Sequence, residues 1–180
     1  QNVNIFILSL FNIFFIVLIT FLTSALLTPL VKKIAFHVGA VDKPDHKRKI
    51  HDHTMPSMGG LAIFFAFLIG YMLFAPKTTQ MLSVLIGGFV VVITGMLDDI
   101  NPLPAKVKFL MQITAACITV FYGNITFADM TIFGITFKFG IFAYPLAVLF
   151  MVSIMNAINL CDGLDGLATG TSTIYFATIC

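Results

Sequence analysis

Two groups of oxygen-bearing side chains in this sequence could do chemistry. Asp98 and Asp99 are adjacent at the end of a long apolar stretch. Further along, amide and carboxylate residues follow at spacings of three: Asn156, Asn159, Asp162 and Asp165. On a helix such residues share one face, so this ladder would present four oxygen ligands together. Because Mg²⁺ accepts such ligands together with substrate phosphate, the two groups predict a Mg²⁺ site for a phosphate or diphosphate substrate, with Mn²⁺ as an alternative.

A simpler interpretation exists for one of the two groups. Adjacent carboxylates repel each other by roughly 4 kcal/mol at 4 Å and an effective dielectric of 20. The free-energy cost of placing a charged residue in the membrane is small, however, when the residue lies at the interface. Asp98 and Asp99 could therefore merely mark the end of a helix. Helix capping, in contrast, would account for one Asp and one Asn of the ladder but hardly for four residues in register.

Basic residues that could bind phosphate lie in two places. Residues 32–53 hold six of the ten Lys and Arg residues, and Lys43, Arg48 and His51 are the candidates there. Lys106 and Lys108 follow the Asp pair. Residues 32–53, here called the basic loop, could equally be an orientation signal that attracts anionic lipid head groups. Lys106 and Lys108 could simply extend their ammonium groups to the interface.

Composition identifies the surroundings in which these residues must be positioned. The chain has 180 residues, of which 59% are hydrophobic and only 10% are charged. Soluble domains carry about 25% charged residues, so the composition excludes a soluble globular protein, and it is far too apolar for disorder. The formal net charge of +2 indicates no nucleic-acid partner, and we expect membrane lipid to be the solvent instead.

Uncharged stretches map the elements. Each of five is long enough to cross a hydrocarbon core as a helix: 1–31, 54–76, 78–97, 109–128 and 139–161. A sixth begins after Asp165. Residues 124–139 alternate polar with β-branched or aromatic residues, which predicts a short β-hairpin at the outer interface. The sequence therefore predicts an all-α polytopic membrane protein, with residues 1–180 forming one transmembrane domain of five complete helices and a truncated sixth.

The distribution of charge predicts the orientation in the membrane. The basic loop is expected in the cytoplasm. Alternation then gives cytoplasmic loops at 32–57, 98–108 and 156–166, with the N-terminus outside. Seven of the eight acidic residues fall on the cytoplasmic side in this arrangement. Since insertion rules scarcely act on acids, their clustering indicates a site at the inner face.

Three motifs in order resemble a known membrane family. They are DKPxxxRKxHxxxxPxMGGLAIF at Asp42–Phe64, the Asp98–Asp99 pair, and NAxNLxDGLDGLAxG at Asn156–Gly170. From about Thr28 to Thr171 the chain resembles the polyprenyl-phosphate N-acetylhexosamine-1-phosphate transferases, of the glycosyltransferase family 4 type. The first motif is most similar to the bacterial branch that begins wall teichoic acid with undecaprenyl phosphate and GlcNAc-1-phosphate.

This resemblance implies a larger molecule. The family fold has ten transmembrane helices with the site on the cytoplasmic face of the bacterial plasma membrane. We therefore expect residues 1–180 to be the N-terminal part of a longer transferase and to be inactive alone. The family's Gly-Asp-x-Gly-Ser motif and His-rich loop are expected downstream, and a homodimer stays open.

The resemblance also implies a reaction and roles. GlcNAc-1-phosphate passes from UDP-GlcNAc to undecaprenyl phosphate, giving undecaprenyl-diphosphate-GlcNAc and UMP, as the first membrane step of cell-wall glycopolymer synthesis. Asp98 would deprotonate or orient the lipid phosphate, with Asp99 in support. Asn159 and Asp162 match the metal-binding motif. Substrate-binding roles are implied for the remaining candidates: Asn156, Asp165, Lys106, Lys108, Lys43, Arg48 and His51.

Other functions stay open. A translocase-like member of the same family would use UDP-MurNAc-pentapeptide instead of UDP-GlcNAc. In a different class, an ion-coupled transporter could line a cation path with carboxylates, although these Asp residues group at one face instead of spreading across the membrane. An aspartyl intramembrane protease also needs two Asp residues, but its G-x-G-D signature is absent from the sequence.

Overall fold

The computed structural model describes residues 2–42, 55–127, 129–132, 135–162 and 167–179. These form six α-helices: α1 Asn2–Val38, α2 Gly59–Phe74, α3 Thr79–Ile100, α4 Ala105–Cys117, α5 Ala143–Cys161 and α6 Leu167–Ile179. A π-helical turn, Ile118–Tyr122, continues α4, and a 3₁₀ turn, Gly140–Phe142, precedes α5. The all-α polytopic architecture predicted from the sequence is confirmed.

Four of the described helical segments are long and apolar enough to cross a membrane: Asn12–Val38, Thr79–Ile100, Ala105–Tyr122 and Gly140–Cys161. Helix α2 is also apolar but has only 16 residues, or about 24 Å at 1.5 Å per residue. A helix of that length is shorter than a hydrocarbon core of about 30 Å. The five complete spans therefore stay a prediction, although a helix lies in each of the five stretches.

Helix α1 is longer than predicted. It continues through Lys32 and Lys33 to Val38, so the first seven residues of the predicted loop 32–57 are helical. Gly39 then adopts a left-handed conformation with φ of +77°, and the Ala40 amide donates to the Ala35 carbonyl at 2.9 Å. This is a Schellman cap, in which glycine supplies the positive φ and two buried alanines meet across the last turn.

A buried cluster joins the ends of three helices. It contains Val31, Ala35, Ala40, Met58 and Ala62, with Leu27, Leu61 and Met96 packed against it. Strand β1, Val41–Asp42, pairs antiparallel with β2, Met55–Pro56, beside this cluster. The sequence did not predict this pairing. It brings the end of α1, the start of α2 and the end of α3 to one end of the bundle, here called the charged end.

The other connections make neighbouring helices antiparallel. The Thr78 hydroxyl accepts a hydrogen bond from the Met81 amide and caps α3, directly after a short turn from α2. At the charged end only residues 101–104 separate α3 from α4. The predicted loop 98–108 is thus mostly helical, and the predicted loop 156–166 is helical as far as Cys161.

Small residues let α3 approach α4 closely. The Ser83 hydroxyl, fully buried, donates to the Gln80 carbonyl at 2.6 Å and lies 3.4 Å from the Thr119 carbonyl on the π-helical turn. A Cβ added to Gly87 would collide with the Thr119 hydroxyl and come within 3.0 Å of the Ala115 carbonyl oxygen. Such close backbone approach is how transmembrane helices gain packing energy in lipid.

The predicted hairpin is present. Strand β3, Asp129–Ile132, pairs antiparallel with β4, Ile135–Lys138. Tyr144 contacts the segment that precedes β3. Its hydroxyl donates to the Asn124 side-chain oxygen at 2.8 Å, and its ring stacks on Phe121 with 5.4 Å between ring centroids. The hairpin lies at the end of the helices opposite the charged end, here called the far end.

Hydroxyl groups inside the helices bond within their own helix. Thr20 donates to the Ile16 carbonyl at 2.7 Å, and Thr94 donates to the Val90 carbonyl at the same distance. The same bond to the residue four positions earlier is made by Thr23, Thr28, Thr114, Ser153, Thr171 and Thr173. These protons are therefore satisfied without a neighbouring helix.

Candidate functional site

An ion pair between α3 and α4 forms the centre of the candidate site. The Lys108 Nζ lies 2.7 Å from the Asp98 Oδ2. The other carboxylate oxygen, Oδ1, accepts a hydrogen bond from the Leu103 amide at 2.8 Å. Both side chains keep part of their surface exposed, 29% for Asp98 and 42% for Lys108. The pair is therefore fixed in direction but open to a ligand.

The local sequence explains how this geometry arises. Asp98 lies in the last turn of α3, and the connecting residues 101–104 include prolines at 102 and 104, which have no amide proton to continue a helix. The chain turns there, and Leu103 between the two prolines offers its free amide to Asp98. Helix α4 then begins at Ala105, which places Lys108 in its first turn beside the carboxylate.

The ion pair lines a small cavity between α3, α4 and α5. Its volume is about 130 Å³, and its lining consists of Val91, Thr94, Gly95, Asp98, Lys108, Met111, Gln112 and Asn159. A larger open cleft of about 560 Å³ adjoins it and is lined by Ala105, Lys106, Lys108, Phe109, Gln112, Asn156 and Asn159. Because Lys108, Gln112 and Asn159 line both, the two spaces share a wall at the charged end.

Helix α5 contributes the first two residues of the predicted ladder. Asn156 is half-buried, and its Nδ2 donates to the Gln112 Oε1 at 2.8 Å and to the Val152 carbonyl at 2.8 Å. Asn159 follows three residues later and lines both spaces. The structure therefore brings Asp98, Lys108, Asn156 and Asn159 together from three helices, although they lie up to 61 positions apart in sequence.

Three predicted residues take less central positions. Asp99 is exposed and does not line either space, because adjacent helical residues point about 100° apart. Lys106 is exposed and lines only the larger cleft. Asp162 is exposed just beyond α5, where the helix has already ended, so the predicted shared face covers Asn156 and Asn159 but not Asp162. The Asp162 amide donates to the Asn159 carbonyl at 3.3 Å.

The remaining predicted residues fall outside the described part of the chain. These are Lys43, Arg48, His51 and Asp165. Gln112, in contrast, was missed by the sequence reasoning although it lines both spaces. One signal could have found it, since it is an amide within an apolar helix, one turn after Lys108.

The donor atoms at this end bear on metal binding. Within residues the structure describes, no three His, Cys, Asp or Glu side chains form a group that could hold a metal ion. Asp98 already uses both oxygens on Lys108 and Leu103. Asn159 and Asp162 offer an amide and a carboxylate oxygen on exposed side chains three residues apart. Amide and carboxylate oxygens are of the type that Mg²⁺ accepts, and the ion needs only one or two carboxylates when phosphates and water complete its shell.

Comparison with known proteins identifies the class. The family model described as glycosyl transferase family 4 matches residues 81–180, which include the ion pair, Gln112 and the α5 asparagines. The chain belongs to this family. No solved structure shows a significant match.

Individual relatives agree with the family. A protein of Bacillus subtilis (strain 168), described as a probable undecaprenyl-phosphate N-acetylglucosaminyl 1-phosphate transferase, is 46% identical over 164 residues, covering 90% of this chain and 46% of the relative. A decaprenyl-phosphate N-acetylglucosaminephosphotransferase of Mycobacterium tuberculosis (strain ATCC 25618 / H37Rv) is 34% identical, covering 88% and 43%. The undecaprenyl-phosphate alpha-N-acetylglucosaminyl 1-phosphate transferase of Escherichia coli (strain K12) is 31% identical, covering 88% and 44%. The chain spans less than half the length of these relatives.

Proposed function

We propose that the whole protein containing this chain transfers GlcNAc-1-phosphate from UDP-GlcNAc to undecaprenyl phosphate, giving undecaprenyl-diphosphate-GlcNAc and UMP. The observation that carries this proposal is the single cavity shared by Asp98, Lys108 and Asn159. A carboxylate, an ammonium and an amide there meet the requirements of two phosphate substrates. The names of the bacterial relatives support the choice of acceptor and sugar.

The chemistry follows from phosphoryl transfer. An oxygen of the lipid phosphate attacks the β-phosphorus of UDP-GlcNAc, a new P–O bond forms, and the bond to the UMP oxygen breaks, so that UMP leaves with the electron pair. A phosphate monoester has a second pKa near 6, so the attacking oxygen needs little help to lose its proton near neutral pH. Asp98, held by Leu103, therefore mainly orients the acceptor, while Lys108 neutralises phosphate charge.

Metal binding is part of the proposal. Asn159 and Asp162 would hold Mg²⁺, or Mn²⁺, through their side-chain oxygens. When bound, the ion neutralises charge on the diphosphate. Asp99 and Lys106 would act at the rim, since Asp99 is exposed and Lys106 lines the larger cleft.

We propose a cytoplasmic location for the charged end, with the N-terminus outside the bacterial plasma membrane. Support comes from the charge distribution, because Lys32, Lys33, Lys106 and Lys108 belong to the charged end while Lys77 lies in the turn at the opposite end of α2 and α3. UDP-sugars are water-soluble, so a cytoplasmic cleft would give them access. The product would begin a cell-wall glycopolymer such as wall teichoic acid.

The test is UMP release by detergent-purified full-length protein supplied with UDP-GlcNAc, undecaprenyl phosphate and Mg²⁺. We expect stoichiometric UMP and a diphosphate-linked lipid product, and no UMP when the lipid is omitted. Turnover with UDP-MurNAc-pentapeptide but not with UDP-GlcNAc would replace the proposed donor by that of the translocase branch. Cation flux in proteoliposomes without any UMP would overturn the transferase proposal in favour of transport.

A further inference from the structure

Gln112 occupies a position between the two polar groups of the site. It lies on α4 one helical turn after Lys108, is half-buried, and lines both the small cavity and the larger cleft. Its Oε1 accepts a hydrogen bond from Asn156 on α5. Gln112 therefore shares a wall with Lys108 and Asn159 and is bonded to Asn156 on α5.

The hydrogen bonds fix which way both amides face. The Val152 backbone carbonyl can only accept, so the Asn156 atom 2.8 Å from it must be the Nδ2 donor. The same nitrogen lies 2.8 Å from Gln112, which must then present its acceptor, Oε1, to Asn156. The Gln112 Nε2, which carries two protons, is therefore available to donate to a ligand. In the part of the chain that the structure describes, no hydrogen bond engages this nitrogen.

We infer that Gln112 is a further substrate-binding residue, whose Nε2 donates a hydrogen bond to a phosphate oxygen of the substrate, and that Asn156 is the positioning residue that holds it in that orientation. This inference rests on the proposed function. Lys108 already shares its charge with Asp98, so a bound phosphate has oxygens that the ammonium alone does not satisfy. A neutral donor in the same wall supplies a partner for them.

The competing explanation is that the Gln112–Asn156 bond only ties α4 to α5, as interhelical amide bonds do in membranes. Two substitutions separate these roles because they remove opposite halves of the amide. Gln112→Glu keeps an acceptor for Asn156 but has no donor and repels phosphate. Gln112→Lys keeps a donor for phosphate but has no acceptor for Asn156. Gln80→Glu, exposed at the start of α3 at the far end, is the matched control.

The experiment measures kcat and KM of the full-length protein separately for UDP-GlcNAc and for undecaprenyl phosphate. We expect Gln112→Glu to raise one of the two KM values about ten- to a hundredfold, the size of one lost charge-assisted hydrogen bond. The substrate whose KM rises identifies the phosphate that is bound. The KM values of Gln112→Lys should stay within a few-fold of the wild type. Asn156→Asp no longer donates to Gln112, so the Gln112 amide can rotate by 180°, and this variant should raise the same KM with little change in kcat.

Unchanged KM values in Gln112→Glu, or a larger KM in Gln112→Lys than in Gln112→Glu, would assign the residue to the interhelical bond alone and overturn the inference. Should Gln112→Glu not fold, as judged by size-exclusion chromatography, Gln112→Met takes its place and is compared with Gln112→Lys. Both lack the acceptor for Asn156 and only lysine keeps a strong donor, so equal KM values in these two variants would overturn the inference. Failure of the wild type to release UMP would instead contradict the proposed function, so the two failures are distinguishable.

Discussion

Asp98 and Lys108 neutralise each other across the gap between two helices, and this affects what each can do. A carboxylate facing an anionic lipid phosphate would repel it, whereas a carboxylate already paired with an ammonium presents little net charge. The Leu103 amide fixes the carboxylate further. The pair can therefore accept a phosphate on the lysine side while the aspartate sets its direction.

Asp98→Asn should lower kcat of the full-length protein by about a hundredfold, the usual loss when a reactant is no longer held in the productive orientation. The fold should survive, because an asparagine oxygen still accepts from the Leu103 amide. UMP release under saturating substrates is the measurement. Asp129→Asn, on the hairpin at the far end, is the matched control and should retain full activity. Wild-type turnover in Asp98→Asn would remove this carboxylate from the mechanism.

Removal of the metal should abolish activity if Asn159 and Asp162 hold Mg²⁺. We expect a chelator to stop UMP release and added Mg²⁺ to restore it. In Asp162→Asn the Mg²⁺ concentration for half-maximal activity should rise about tenfold or more, since a neutral amide replaces a charged ligand. An unchanged Mg²⁺ titration curve in that variant would show that the carboxylate does not bind the ion.

The sequence indicates individual residues of the candidate site but not the contacts between them. Asp98, Lys108 and Asn159 could be selected because charged and amide groups are rare in an apolar chain. Their contact could not be derived, since it depends on how α3, α4 and α5 pack. Gln112 was missed for the same reason, because its importance comes from a partner 44 positions away.

At the scale of elements, close packing of α3 against α4 holds the ion pair in place. The contact depends on Gly87, which has no room for a side chain beside Thr119 and Ala115. Helix α3 also contains Gly95, where an added Cβ would meet nothing within 4 Å. The two glycines thus differ in surroundings while sharing one helix.

Gly87→Ala should destabilise the protein by about 1–3 kcal/mol through overpacking. Gly95→Ala, the matched control, should be neutral or stabilising by up to about 1 kcal/mol, because alanine favours a helix and has free space there. Thermal loss of monodisperse protein in detergent, followed by size-exclusion chromatography, measures the difference. Equal stability of the two variants would contradict a tight contact at Gly87.

The ends of elements were the least predictable part of the fold. The loops are predicted from the positions of charged residues, yet α1 includes Lys32 and Lys33 in its last two turns. Long lysine stems allow this, since the ammonium can reach water while the backbone stays helical. The β1–β2 pairing was missed because strands of two residues leave no periodic pattern.

For the molecule as a whole, the positions of the helices along the chain could be predicted from the spacing of the charged residues. Few charges interrupt the apolar stretches, so each stretch predicted a helix, and the alternation of their directions agrees with the shared charged end. Which side of the membrane that end faces depends on the positive-inside rule.

Orientation can be measured in intact cells with single cysteines in a cysteine-free full-length background. Lys77→Cys should react with a membrane-impermeant maleimide, because the turn between α2 and α3 is expected outside. Lys33→Cys should react only after the cells are permeabilised. Labelling of Lys33→Cys but not of Lys77→Cys before permeabilisation would reverse the proposed orientation.

The hydroxyl bonds within each helix have a consequence for biosynthesis. Because Thr20 on α1 and Ser153 on α5 return their protons to their own backbone, these hydroxyls do not require a partner helix when their own helices enter the bilayer. Asp98 and Lys108 differ, since the charge of each is paired with the charge of the other across two helices. With four residues between their helices, α3 and α4 are suited to enter the bilayer together as one hairpin.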